Sequence, residues 1–319
     1  MHPAWYFVIA AAAVVLLSLT VAFICFIRIF YSKKRVIDKT GEVYIPAGKI
    51  YDPYREKIQD WVKMTRSMKC EELSVVSHDG LTLKGYYYEY EKGAPLEIMF
   101  HGYQGNAERD LSGGVDRCHR LGRSALIVDQ RACGASEGSV TTFGVLESRD
   151  CLKWIDLAIS KFGDDVKIIL TGVSMGAATV MIASGEKLPK NVIHTLADCG
   201  YTSPREIIKK VIREMKLPAS LLYPFVRLGA RLFGGFSIDS RAPIDAVKHA
   251  TVPIIFIHGD RDDFVPCEMS ERLYEACSTK KALTKIKGAG HGIAFPASEE
   301  EYIGALAEFA SNIGLITNL

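Results

Sequence analysis

A serine hydroxyl is a poor nucleophile on its own, so a chain that uses one must supply a base and a group that orients the base. The candidate here is Ser174, in the run Lys167-Ile-Ile-Leu-Thr-Gly-Val-Ser-Met-Gly-Ala-Ala-Thr-Val180. An apolar run breaks at Gly172-Val173-Ser174-Met175-Gly176, and helix formers follow at once. This reads as a strand feeding a helix through Gly-x-Ser-x-Gly, a turn tight enough to lift Oγ clear of a sheet. Only residues without bulk fit beside such a serine, and Gly172 and Gly176 supply the room. Met175 opens the helix, so its backbone N–H is placed to receive an oxyanion. The bland alternative is a strand-to-helix turn with a capping serine, and the partners must decide.

The base candidate is His291, in the glycine-rich loop Lys287-Gly-Ala-Gly-His-Gly292 that follows the last apolar strand pattern. A histidine that reaches over a sheet to Ser174 needs a loop of this kind. The same glycines spell Gly-x-Gly-x-Gly, but no strand–helix phosphate-binding context surrounds them. Upstream, Ile254-Ile-Phe-Ile-His-Gly-Asp-Arg-Asp-Asp-Phe-Val-Pro266 is a buried strand running into an acidic loop. Three aspartates there, Asp260, Asp262 and Asp263, compete for the orienting role. A second oxyanion donor is expected from the loop after the first parallel strand, Phe100-His-Gly-Tyr-Gln-Gly-Asn106, where Tyr103 follows His-Gly. His101 and His258 end buried strands and are read as bonding to nearby backbone. No histidine pair has metal-ligand spacing beside carboxylates, so neither metal nor cofactor is expected.

These loops need a scaffold, and the apolar periodicities describe one. Leu73–Ser77 and Leu81–Tyr88 flank His78-Asp79-Gly80 as a hairpin. Strand patterns recur at Ile98–Phe100, Ala125–Val128, Val166–Leu170, Val192–Leu196, Pro253–Ile257 and Leu283–Ile286. Helical patterns alternate with them, such as Leu152, Ile155, Ile159 and Phe162, and a final helix starts near Ser298. The implied architecture is a mostly parallel central sheet with helices on both faces.

From Pro3 to Ile27 no side chain is charged, a span longer than the roughly 20 apolar residues that cross a bilayer as a helix. Residues 1–35 therefore read as a transmembrane anchor with a basic flank, and the lipid bilayer is an expected partner. Met1-His2-Pro3 offers no basic segment of the kind that opens a cleaved signal. Arg28, Lys33, Lys34, Arg35 and Lys39 all follow the span, which places the remainder in the cytoplasm. Eight cysteines scattered singly, with no Cys-x-x-Cys, agree with a reducing compartment. A net charge of +2 and the lack of a basic patch interleaved with aromatics argue against nucleic acid. Residues 36–71 form a connector holding Pro46, Pro53 and a short amphipathic stretch, Tyr54–Met64. Because the three loops lie far beyond the span, its removal is expected to leave their geometry alone.

Taken together, the motifs resemble the α/β-hydrolase superfamily, and most of all its membrane-anchored bacterial serine hydrolases of the serine-aminopeptidase-like and esterase branches. The resemblance covers about Glu72 to the end. It is carried by His101-Gly-Tyr-Gln-Gly-Asn106, Asp129-Gln-Arg-Ala-Cys-Gly-Ala-Ser-Glu-Gly138, the Ser174 pentapeptide, Ala197-Asp-Cys-Gly-Tyr-Thr-Ser203, His258–Pro266 and Gly290-His291-Gly292. Such proteins often carry His where Cys133 stands. The resemblance implies an α/β-hydrolase domain over 72–319. With the loop pattern Gly259-x-x-Asp262-x-x-Val265-Pro266 and the order Ser, acid, His, it selects Asp262 as the orienter. Some relatives take the acid from after the earlier strand, where Asp198 stands; here Asp198 is read as structural.

The expected activity is hydrolysis of a small-molecule acyl ester, or of a thioester or amide, through an acyl-enzyme. A non-catalytic scaffold, a peptidase and an acyltransferase are the alternatives. One connection is too long for the strand–helix rhythm. Residues 204–250 carry two apolar helical stretches and are expected to form a small lid, with Leu221, Leu222 and Phe225 roofing the substrate. Oligomeric state is not legible in the sequence.

Overall fold

The computed structural model describes residues 3–32, 41, 43–45 and 48–315. Lys33, Lys34, Arg35 and Lys39 of the basic flank, and Pro46 of the connector, lie outside the described residues. The chain runs α1 (Pro3–Ile29), α2 (Arg55–Ser67), β1 (Glu71–Val76), β2 (Thr82–Tyr88), β3 (Leu96–Phe100), α3 (Ala107–Arg120), β4 (Ser124–Val128), α4 (Glu147–Phe162), β5 (Ile168–Val173) and α5 (Met175–Ser184). It continues through β6 (Val192–Asp198), α6 (Pro204–Glu214), α7 (Ala219–Phe233), α8 (Pro243–Ala246), β7 (Ile254–Gly259), α9 (Cys267–Ala276), β8 (Lys281–Ile286), α10 (Ala294–Ala297) and α11 (Glu299–Asn312).

All eight strands join one sheet in the order β1-β2-β4-β3-β5-β6-β7-β8. The β1–β2 and β2–β4 pairs are antiparallel, and every pair from β4 to β8 is parallel. Strands β3, β4 and β7 are buried along their whole length. Their continuous apolar runs follow from helices covering both faces. On one face Trp154 and Ile155 of α4 and Val180 and Ala183 of α5 pack with Ile98, Phe100 and Leu170. On the other, Leu111 and Val115 of α3 lie against Met99 and Ile127, and Leu306 and Phe309 of α11 against Leu196 and Ile257. Glu97 is a charge inside this apolar setting, held by Arg117 and Arg123 and by a hydrogen bond from Thr171. Burial raises its carboxyl, but the two guanidiniums outweigh that and bring it down to about 2.

Over Ala4–Ile29 the first helix is long and apolar enough to cross a membrane. Its N-terminal two-thirds is largely exposed, whereas its end is built into the domain. Ala22, Phe26 and Phe30 are buried, and Phe30 stands edge-on to Phe143 and Phe236. A close crossing with α7 depends on Gly229, where a Cβ would fall 2.4 Å from the Ala22 carbonyl oxygen. Small residues at a crossing are what let two helix backbones approach this closely. The chain then continues without slack: Tyr31 forms a β-bridge with Val140, and Ser32 N–H donates to the Ser139 carbonyl. Removal of residues 1–35 would therefore strip apolar side chains from a packed core, a cost to the domain's stability that the distance of the three loops from the span in sequence does not reveal.

Candidate active site

Backbone crowding puts Ser174 where it is. A Cβ on Gly172 would fall 2.0 Å from the Gly176 carbonyl oxygen, and one on Gly176 would fall 2.0 Å from that of Phe100. Between them Ser174 takes φ 55°, ψ −112°, a region that L-residues rarely occupy and that surrounding structure must enforce. Its N–H donates to the Asp198 carbonyl at 2.8 Å, which pins the turn to β6.

The structure brings Ser174, His291 and Asp262 into one chain of hydrogen bonds. Ser174 Oγ lies 2.9 Å from His291 Nε2, and His291 Nδ1 lies 2.7 Å from Asp262 Oδ2. The network assigns the proton on Nδ1 to Asp262 and leaves Nε2 to accept from the serine. Asp262 is held at both oxygens. Oδ1 accepts from the N–H groups of Phe264 and Val265 at 2.9 and 2.8 Å, while Oδ2 also sits 3.2 Å from His258 Nε2. Burial pushes this carboxyl up, but hydrogen bonds from His258 and His291 outweigh it and hold it at about 2. Asp262 thus stays charged across the range in which imidazoles titrate.

The competing acids have other employment. Asp260 Oδ1 accepts from the Gly288 N–H at 2.6 Å and so closes the loop that carries His291. Asp263 offers its backbone carbonyl to Lys210. Asp198 accepts from the Tyr302 hydroxyl at 2.9 Å. His258 bonds the Val265 carbonyl and the Ser270 hydroxyl, and His101 bonds the Gly102 carbonyl and the Gln130 N–H.

Met175 is the first residue of α5, where an N–H has no intrahelical acceptor. Gly102 lies so close that a Cβ there would be 3.7 Å from Ser174 Cβ, which places the neighbouring Tyr103 backbone at the same mouth. The Tyr103 side chain turns away. Its hydroxyl, kept protonated by burial that lifts it to about 12, donates to the Ile29 carbonyl of α1 at 2.7 Å.

Beside Ser174 opens a cavity of about 480 Å³. Its walls include Trp61 and Ile58 of α2, Leu111 of α3, Met99, Val173 and Phe295. Trp61 stacks on Phe295 at 5.3 Å and lies against α3 at Gly113, where a Cβ would meet its ring at 2.6 Å. None of Leu221, Leu222 and Phe225 lines this cavity, so the expected roof is corrected. Leu221 is 63% exposed, and Leu222 packs into the apolar cluster that receives Phe26 and Phe30. The insertion over 204–250 is present as α6 to α8, but α7 packs against α1, and the apolar residues of α6 and α7 join one cluster with Phe26, Phe30 and residues of the domain. Sequence reasoning missed Ile58 and Trp61, although their spacing with Val62 and Thr65 already marks one face of a helix.

Two clusters among the described residues are compact enough to hold a metal ion. One is Cys199 with Asp262 and His291, whose oxygens and nitrogens are committed to the chain above. The other, His78 with Asp79 and Asp150, is filled by Arg131, which binds both carboxylates. Neither donor set fits a resident ion.

This architecture is the α/β-hydrolase fold, and the chain resembles the serine hydrolases that carry it. A family model for serine hydrolase (FSH1) matches residues 225–301, the stretch that holds Asp262 and His291. The uncharacterized protein YqkD of Bacillus subtilis is 28% identical over 235 residues, which cover 73% of this chain and 77% of YqkD. Among solved structures, the Pyrococcus furiosus esterase Pf2001 superposes with a TM-score of 0.62 at 22% identity, over 85% of this chain and 98% of that one. Est1E of Butyrivibrio proteoclasticus, solved with ferulic acid bound, gives 0.56 at 21% identity, over 75% and 98%.

Proposed function

We propose that this protein is a membrane-anchored serine hydrolase that cleaves a carboxylic ester through an acyl-enzyme. The observation that carries the reading is the unbroken chain Asp262–His291–Ser174 at 2.7 and 2.9 Å, opening on an apolar-walled cavity. Ser174 Oγ attacks the acyl carbon as its proton passes to His291 Nε2. Asp262 stabilises the imidazolium and keeps it turned toward the serine. The N–H groups of Met175 and Tyr103 hold the oxyanion. Collapse expels the alcohol, which takes the proton from His291, and water then repeats the steps to release the acid. No step calls for a cofactor. A thioester or amide would follow the same route, but an ester asks less of its leaving group than an amide does.

The anchor reading rests on the length and apolarity of α1, and the cytoplasmic placement on the basic residues that follow it and on cysteines that form no disulfide. A fluorophosphonate probe applied to the membrane-bound chain tests the chemistry. The parent should label and Ser174→Ala should not, with turnover falling by several powers of ten. A parent that does not label would leave the fold as a binding scaffold, and labelling that survives the substitution would take the nucleophile away from Ser174.

A further inference from the structure

The exposed apolar surface of α1 does not stop where the domain begins. Leu232 and Phe233, the last two residues of α7, are 53% and 41% exposed. Phe233 meets Phe23 of α1 edge-on at 5.1 Å and lies 5.9 Å from Phe26, so the end of α7 stands beside residue 23. Phe23 is exposed as well, and Ile24 and Ile27 carry the open apolar face of α1 on to Arg28. A single exposed apolar side chain needs no account, but a surface shared by two packed helices does.

The length of the span decides what covers it. The domain closes on α1 at Ala22, which is buried together with Phe26. Residues 4–21, before that point, reach about 27 Å at about 1.5 Å per residue, less than the roughly 30 Å of a hydrocarbon core. Tilt would shorten the reach further. Trp5 and Tyr6 suit the far interface, and about 20 residues of hydrocarbon counted from them end near Phe26. The acyl layer therefore extends past Ala22 to the level of Phe23. On its other side at that level α1 meets α7, so Phe233 stands in the same layer. Arg28 and Arg231 border it. Both are exposed and neither has an ion pair among the described residues. Each can lift its guanidinium to lipid phosphates while its methylenes stay against apolar surface.

Resting on the anchor reading of α1, we infer that the C-terminal end of α7 is a second membrane contact. Leu232 and Phe233 sit in the edge of the acyl layer beside Phe23, and Arg28 and Arg231 meet the phosphates. Lipid is the occupant because the surface is continuous with the span itself and lies within the depth that the span must fill. The domain is thus partly embedded, and α7 shares the bilayer with α1.

The test uses the full-length chain in vesicles of phosphatidylcholine and phosphatidylglycerol. Leu232→Cys is compared with Asp164→Cys, an exposed position in the loop before β5, at the opposite end of the sheet from Ser174. A charged, membrane-impermeant maleimide is followed at each site by peptide mass spectrometry. It should modify position 232 at least about tenfold more slowly than position 164, because a side chain in the acyl layer is out of its reach. On the unsubstituted chain, a phospholipid with a diazirine in its acyl chain should leave adducts on the peptide that holds Leu232 and Phe233. Equal maleimide rates, or photo-adducts on α1 alone, would overturn the contact. Slow modification without lipid adducts, together with disulfide-linked dimers of Leu232→Cys, would give the surface to a second copy of the chain and overturn it too. In each of these cases, a chain that resists alkaline carbonate washing keeps the anchor standing. Release by that wash would overturn the anchor and the contact together.

Discussion

Helices α2 and α7 are similar in length and both amphipathic, yet the chain uses them in opposite ways. The helix in the connector, α2, turns Trp61 and Ile58 over the cavity beside Ser174. The helix in the long insertion, α7, presents Val226, Gly229 and Ala230 to a helix arriving from the N-terminus. Small residues at 229 and 230 suit helix-on-helix contact, while a tryptophan stacked on Phe295 suits a pocket wall. Apolar surface on an insertion thus signals that something covers it, without saying whether that is a substrate or another part of the chain.

The largest effect should come from emptying the cradle. Phe30→Ala removes a fully buried ring that contacts Phe143 and Phe236, and should cost about 3–5 kcal/mol of unfolding free energy. Denaturant melts of the detergent-solubilised chain measure it. A chain starting after Ser32 that kept the parent's stability would erase the distinction between the two helices.

Next in size is Trp61→Ala. Opening the roof should lower kcat/KM for the best apolar acyl ester by about 10- to 100-fold and move the optimum to longer chains. An unchanged chain-length profile would return the roof to α7.

Tyr103→Phe probes the point where cradle and site meet. Loss of the hydrogen bond to Ile29 should cost about 1 kcal/mol of unfolding free energy, and, on the proposed role of the Tyr103 N–H, a drop of a few-fold in kcat with little change in KM. Equal falls in stability and no change in kcat would confine the bond to a packing role. The smallest effect belongs to Leu221→Ser, on an exposed position of α7, which should change stability by no more than about 0.5 kcal/mol and turnover by less than twofold. A large loss of activity there would be the most direct evidence for a lid.

Legibility in the sequence followed how local each feature is. The strand patterns and the Ser174 turn are written in consecutive residues, because a tight turn between a buried strand and a helix constrains its own neighbours. His291 and its glycines were visible for the same reason. Choosing among Asp260, Asp262 and Asp263 needed the loop pattern, since three adjacent carboxylates differ only in where the backbone turns them. The cavity was not legible. Its walls come from residues near 60, 100, 111 and 295, and only tertiary packing brings Trp61 to Phe295 across Gly113.

The passage from α1 into the domain through Phe30, Tyr31 and Ser32 has a kinetic consequence. A flexible leash would let an enzyme sweep a volume around its attachment point, with a reach that grows with the length of the leash. Here the first residues after the helix are paired with Ser139, Val140 and Thr141, so the mouth at Ser174 stands at one fixed height and tilt relative to α1. Held in a bilayer, such an enzyme would scan in two dimensions. Its rate on a lipid-dissolved ester should follow the ester's mole fraction in the surface, and adding inert lipid at constant bulk ester should slow it by dilution alone.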